Sequence, residues 1–451
     1  MRRKAPIFCM VLIALLLSSV AYILPGKLEK RTKIKVERLP NNNQNNDMVV
    51  VRKNPSTLVV KNPDPKEVQR KIAEKYGIKA GPVFPNPANW TFAVYLDADN
   101  NLNDYGEYDF NEMGSVGSDE SIGLRIVVLI DKYERRNPDE VGLWYIEQGD
   151  TWNDDYSWAD EYWGEQNMGD PNLLIKFIED ILYNYSAYHY VLILWNHGGA
   201  EEGVCWDDTN GDHLYVDEVR DALEYIYEQY GVIFDVIGAD ACLMGEFFWE
   251  YTLYPYTKFV VHSQETEGAA GYAYDYILTN ITNKLRSGWV PTPEYFADCI
   301  AYETIRYYKE VGDTAETQSA INATAAFYDL GPAVSKFANL LLRKYDTYAA
   351  EIDSARSSAT SFYYSYLRDL YHFAQNIYNS ISDSEIQSAA QEVMQMVDKA
   401  VVHYYHSGSY PDAHGISVYF PTSTDGWDTK VDGFYSSYRT MWDDFARKYA
   451  A

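Results

Sequence analysis

From Trp90 onward the chain alternates between short apolar runs and amphipathic stretches. TFAVYLDAD (Thr91 to Asp99) and LRIVVLID (Leu124 to Asp131) are apolar without a polar residue at every second place, the pattern of strands buried on both faces. A helical pattern around Tyr105 to Met113 separates them, so together they predict a β-α-β unit. The pattern then repeats: a helix from about Pro171 to Asn184, the strand HYVLILWN (His189 to Asn196), a helix near Val216 to Tyr230 and the strand FDVIGADA (Phe234 to Ala241). A further strand, KFVVHSQ (Lys258 to Gln264), follows. Helical periodicity dominates from about Pro293 to His406, and GISVYFP (Gly415 to Pro421) predicts a closing strand. The whole reads as α/β, with a largely parallel central sheet covered by helices and a helical C-terminal addition.

The residues before Trp90 follow another pattern. Arg2, Arg3 and Lys4 precede an uncharged apolar run from about Ile7 to Leu24, with Ser18, Ser19 and Ala21 near its end, which is the layout of an export signal. At roughly 18 residues the run is also near bilayer-spanning length, so a membrane tether through it stays open. The expected location is extracellular, secreted or anchored at the outer face of the cell membrane. From Pro25 the composition turns polar, with NNNQNN at Asn41 to Asn46 and repeated prolines, as in a stalk or pro-segment; a short helix fits around Pro65 to Tyr76. The predicted division is 1–24 signal or anchor, 25–88 stalk, 89–290 α/β core and 291–451 helical region with a closing strand.

Charge narrows the partners. A formal net charge of -28 excludes nucleic acid, whose phosphates need clustered Lys and Arg. Of the four cysteines, Cys9 lies in the export signal, which leaves Cys205, Cys242 and Cys299. An odd set this sparse is not a disulfide framework, so at least one thiol is free.

In an open parallel sheet, active sites gather beyond the carboxyl ends of the strands. WNHGGA places His197 in a glycine-flanked turn directly after one apolar strand, and ADACLMG places Cys242 in the same position after the next. A free thiol with a pKa of about 8.5 is mostly un-ionised at neutral pH, and a neighbouring imidazole raises its reactivity. The N–H groups of Gly198 and Cys242 are placed to form an oxyanion hole.

These motifs resemble those of the clostripain family of cysteine peptidases, in the clan that also holds caspases, legumains and gingipains. The resemblance rests on YLDADNNLNDYGEYDFNEM (Tyr95 to Met113), NHGG at His197, DACLMG at Cys242, SQETEGAAGYAY (Ser263 to Tyr274) and HGISVYFP. It implies a caspase-like α/β sandwich, polypeptide substrates cleaved after Arg or Lys, His197 as base and Cys242 as nucleophile. It also implies that Asp240 walls the S1 pocket, with Glu265 as a second acid near it. An alternative function is a non-catalytic surface binding protein that retains the peptidase fold.

No cofactor is required by this reading. DADNN (Asp97 to Asn101) and DDTNGD (Asp207 to Asp212) look like pieces of calcium loops, yet neither has the glycine at position 6 followed by a Glu at position 12. Calcium stays open without a clear binding loop, and no metal ligand is assigned. His403 and His406, read as one turn apart on a helix, lack the HExxH context of a zinc site. Between Ala200 and Ala241 the one Arg or Lys is Arg220, on a predicted amphipathic helix, so cleavage there is not expected. The basic segment around Arg70 and Lys71 is the expected place for processing.

Overall fold

The apolar runs become the centre of one sheet in the computed structural model, which describes residues 61–133, 140–152, 159–425, 427–428, 431 and 440–451. The export segment and the first part of the stalk lie outside the described residues. Among the described residues, no helix is long and apolar enough to cross a membrane.

A helix, α1 (Pro65–Tyr76), leads into β1 (Ala88–Ala98), and α2 (Asn103–Val116) carries the chain to β2 (Leu124–Lys132). Two antiparallel strands, β3 (Glu140–Tyr145) and β4 (Glu161–Gly164), extend one side. Next come α3 (Pro171–Asn184), β5 (Ala187–Trp195), a hairpin of β6 (Val204–Asp207) and β7 (Asp212–Leu214), α4 (Val216–Tyr230) and β8 (Phe234–Asp240). Then follow α5 (Phe247–Leu253), β9 (Thr257–His262), α6 (Tyr274–Arg286), α7 (Pro293–Val311), β10 (Thr317–Asn322) and α8 (Gly331–Ser358). The chain ends with β11 (Leu367–Asp369), α9 (Leu370–Ser380), α10 (Ser384–Ala400), β12 (Val401–His406), β13 (Ser417–Tyr419) and α11 (Trp442–Ala450).

The main sheet runs in the order β12-β10-β9-β8-β5-β1-β2-β3-β4. Its five central strands are parallel and both flanks are antiparallel. Phe92, Val94 and Leu96 of β1 share one core with Ile277 of α6 and Phe296 of α7. On the other face Tyr95 meets Phe177 of α3 at a ring distance of 5.8 Å. Register matters most for function: Leu96 pairs with Trp195, and Trp195 with Asp240, so β1, β5 and β8 end on one line.

Three expectations change. The segment from Pro293 to His406 contributes β10 and β12 to the main sheet, so His403 and His406 stand on an edge strand, with His403 Nδ1 2.9 Å from Asp298. The closing strand forms as β13, but it pairs with β11 in a separate two-stranded ribbon. Arg70 and Lys71 lie within α1, which is capped by Asp64 and Gly77 and buries Val68 and Ile72. Gln69 donates to Tyr183 O at 2.8 Å and Lys75 pairs with Glu179 at 2.6 Å, which fastens that helix to α3. A packed helix is as poor a cleavage site here as at Arg220.

Candidate active site

The common end of β5 and β8 sets the two chemical loops side by side. Asn196 N donates to Asp240 O at 3.2 Å, continuing the ladder one residue past the strands. Beyond it Gly198 presses on the Cys242 backbone so closely that a Cβ would sit 2.0 Å from the Cys242 carbonyl oxygen. Only glycine permits that approach. The Asn196 side chain donates to Asp97 O at 2.7 Å and Trp206 O at 3.0 Å, and its Oδ1 accepts from His197 N, so the imidazole loop is held from three sides. His197 Nε2 lies 2.9 Å from Asn101 Oδ1, in the loop after β1. With that oxygen as acceptor, Nε2 carries the proton and Nδ1 is the basic nitrogen. Burial lowers the His197 pKa to about 4, so the ring is neutral at physiological pH.

No helix begins at Cys242. The chain instead takes a turn in which Leu243 has φ 65 and donates to Glu265 O at 3.1 Å, and Gly245 N donates to Ser263 O at 2.7 Å. The Cys242 sulfur is half-buried and accepts from Glu267 N at 3.3 Å. Cys205 and Cys299 are free but buried, and burial pushes both thiols well above their usual range. Among the described residues, Cys242 is thus the thiol with an open side.

Asp240 sits beneath Cys242 on the face of α2 and α6. It caps no helix; its carboxylate accepts from Tyr272 N at 3.0 Å and from Tyr274 Oη at 2.7 Å. Its neighbour is Glu267, whose side chain hydrogen-bonds to it. Glu265 turns elsewhere, accepting from Tyr410 Oη at 2.6 Å and Thr266 N at 2.9 Å. Burial raises Asp240 to about 6, and burial together with the charges of Asp240 and Glu316 raises Glu267 well above the carboxylate range. The hydrogen bond between them favours the proton on Glu267 and the charge on Asp240. Asp109, also raised by burial and by Asp240, completes a buried acidic cluster on this face.

The C-terminal region walls the other side of the thiol. Cys242, Tyr364, Tyr366 and Tyr410 pack on an apolar cluster of Ala200, Leu243, Phe362, Leu367 and Ala413. Ser417 of β13 donates through N and Oγ to Gly245 O, both at 2.8 Å, and ties this wall to the Cys242 turn. Asn101, Asp109, Glu267 and these tyrosines were not picked out in the sequence. Asn101 lies within a quoted motif and Glu267 two residues from a named acid, the nearest signals to them.

On the opposite face of the sheet, the two acidic segments DADNN and DDTNGD meet, with Asp208 N donating to Asp99 O at 2.9 Å. Asp99, Asp131, Glu165 and Asp207 each bring one carboxylate oxygen to within 4.8 Å of the others.

A half-buried thiol and an imidazole loop at the carboxyl edge of a mostly parallel sheet define a cysteine-type endopeptidase of the caspase-like fold. Residues 94–450 match the Clostripain family, and the chain belongs to that family. It is 27% identical over 415 residues to clostripain from Hathewaya histolytica, covering 77% of this chain and 76% of that one. In fold it resembles a secreted C11 cysteine protease from Bacteroides thetaiotaomicron solved with an irreversible peptide inhibitor. That match has a TM-score of 0.60 at 17% identity and covers 80% of this chain and 99% of the other. An inactive zymogen C11 protease from Parabacteroides distasonis matches with a TM-score of 0.55 at 17% identity, over 81% of this chain and 100% of that one.

Proposed function

We propose that this protein is an exported endopeptidase that cleaves after Arg or Lys, with Cys242 as nucleophile, His197 as base and the Asp240–Glu267 pair as the reader of the basic side chain. The observation that carries this reading is Glu267, whose N–H reaches the Cys242 sulfur at 3.3 Å while its carboxyl bonds Asp240. One residue thus links the reacting atom to a buried negative charge. A guanidinium entering beside the thiol meets Asp240 as a carboxylate and Glu267 as a neutral partner.

In this reaction His197 takes the thiol proton as sulfur attacks the scissile carbonyl, and the N–H groups of Gly198 and Cys242 face the oxyanion. The proton passes to the leaving amine as the C–N bond breaks. Water, deprotonated by His197, then opens the thioester and restores the thiol. Asn101 fixes the ring orientation. Export through the apolar N-terminal segment agrees with the relative described as secreted. The same segment, left uncleaved, would serve as a membrane tether.

Replacing Cys242 or His197 by Ala is expected to remove amidase activity, by at least about 10⁴-fold, without loss of fold, because the two act as a unit on surface loops. Cys205→Ala and Cys299→Ala should keep most turnover. A thiol-directed Arg peptide analogue should label Cys242 alone; wild-type turnover in Cys242→Ala would end the proposal.

A further inference from the structure

We infer that the tyrosine wall beside Cys242 is the subsite for the substrate residue that precedes the basic one. It takes an aromatic or large aliphatic side chain, and the ring of Tyr410 makes the contact. The inference rests on the proposed cleavage after Arg or Lys and extends it by one residue of substrate.

The direction of the substrate follows from the sheet. The strand order is β9-β8-β5, so the turn at Cys242 lies between the His197 loop after β5 and the Ser263 to Glu267 loop after β9. His197 has to hand a proton to the leaving amine, which puts the chain after the scissile bond on the β5 side. The chain before that bond therefore runs toward β9. In an extended peptide successive side chains point to opposite faces. With the P1 side chain directed at Asp240 on the face of α2 and α6, the P2 side chain points the other way. The C-terminal region stands there, tied to the Cys242 turn by Ser417 and packed on α5 through β13.

That wall is apolar and already assembled. Tyr364, Tyr366 and Tyr410 are part-buried and pack with Cys242 on Phe362, Leu243 and Ala413. Its two ends differ. Tyr366 hydrogen-bonds Glu201, in the turn that follows His197, and stacks on Tyr364 with ring centres 5.1 Å apart and planes at 10°. That end belongs to the leaving-group side. Tyr410 holds the other end: its hydroxyl donates to Glu265 Oε2 at 2.6 Å in the loop after β9, and its ring centre lies 5.7 Å from that of Phe362. The Glu265 carboxylate is fixed in turn by Thr266 N at 2.9 Å. With its hydroxyl committed to Glu265, Tyr410 meets a neighbour through its ring. A ring pinned in this way loses little freedom when a side chain packs against it, so the contact favours binding. The carboxylate behind the ring and the net charge of -28 make an acidic P2 residue the worst fit.

The test uses the full chain and acetyl-Ala-X-Arg coumarin amides, in which X is Phe, Leu, Ala or Asp and no residue follows the scissile bond. Phe and Leu should give kcat/KM about tenfold above Ala, the low end of what an apolar contact contributes to specificity, and Asp should fall below Ala. The ratio of Phe to Ala is read within one preparation, so it does not depend on how much of a variant is folded. Tyr410→Ala should bring that ratio below about threefold, and Tyr410→Phe, which keeps the ring, should hold it above about fivefold. An unchanged ratio in Tyr410→Ala, or equal cleavage of all the substrates by the parent, would overturn the subsite and leave the basic P1 pocket standing. So would an aromatic preference found only in longer peptides that carry the aromatic residue after the scissile bond. A parent that hydrolyses none of these substrates would remove the P1 reading and the subsite together.

Discussion

Two groups of acids stand back to back across one strand edge, and they are built differently. The Asp240 group is lined by neutral donors, Tyr272 N–H and Tyr274 O–H, which come with Glu267 from one stretch of chain. The Asp99 group draws its carboxylates from four separate segments. A pocket with donors already in place can keep a single negative charge ready for a side chain that comes and goes. Where acids from several segments crowd together, burial and their mutual charge push a carboxyl such as that of Asp97 well above the usual range.

The largest expected effect that separates the groups is on Asp240. Removing one partner of a desolvated charge pair costs roughly 2–5 kcal/mol, so Asp240→Ala should lower kcat/KM for Arg substrates by on the order of 10²-fold or more. Cys242 should still react with small alkylating agents in that variant. Glu267→Gln keeps a neutral donor beside Asp240 and should lose about tenfold or less. A loss from Glu267→Gln equal to that from Asp240→Ala would mean that Glu267 acts as a charge.

Acidity should sharpen the contrast. Asp240, raised to about 6, is charged above that pH and neutral below it, whereas His197, lowered to about 4, stays a neutral base through the same range. For Arg substrates kcat/KM should therefore fall about tenfold per unit below about pH 6. Substrates with an uncharged P1 residue should show no such limb, and Asp240→Asn should remove it. A limb near pH 6 that persists in Asp240→Asn would assign it to another group.

A smaller effect concerns maturation. Arg220 lies within α4 with its guanidinium on Asp221 at 2.6 Å, and Arg70 lies within α1 between Glu67 and Glu74. Mass spectrometry of the active enzyme should find residues 197 to 242 on one uncut chain, and no new N-terminus after Arg70. A two-chain enzyme starting at Asp221 would contradict this.

Much of the centre was legible because its strands are unbroken apolar runs and its helices keep a strict period. Pro171–Asn184 and Val216–Tyr230 form as the pattern predicts. β10 was missed since TQSAIN looks polar. It is nevertheless buried, its hydroxyls taken up by Ser263 Oγ at 2.9 Å and by Gly415 O at 2.9 Å. In the acid pocket, Glu265 and Glu267 sit in a loop, where no alternation tells which one faces Asp240. Asp99 and Asp207 lie in segments that looked like pieces of calcium loops, but Asp131 and Glu165 come from two other segments, so no contiguous motif shows the four acids together.

The central claim, that the acid pair beside Cys242 reads a basic residue, is tested most directly by a P1-varied peptide library cleaved at about pH 8 by the parent and by Asp240→Ala. The parent should cleave after Arg, more slowly after Lys, and scarcely elsewhere, and Asp240→Ala should lose that preference while its thiol still alkylates. A parent that prefers Asp, Asn or an apolar residue at P1, or an Asp240→Ala that cleaves after Arg unchanged, would contradict it.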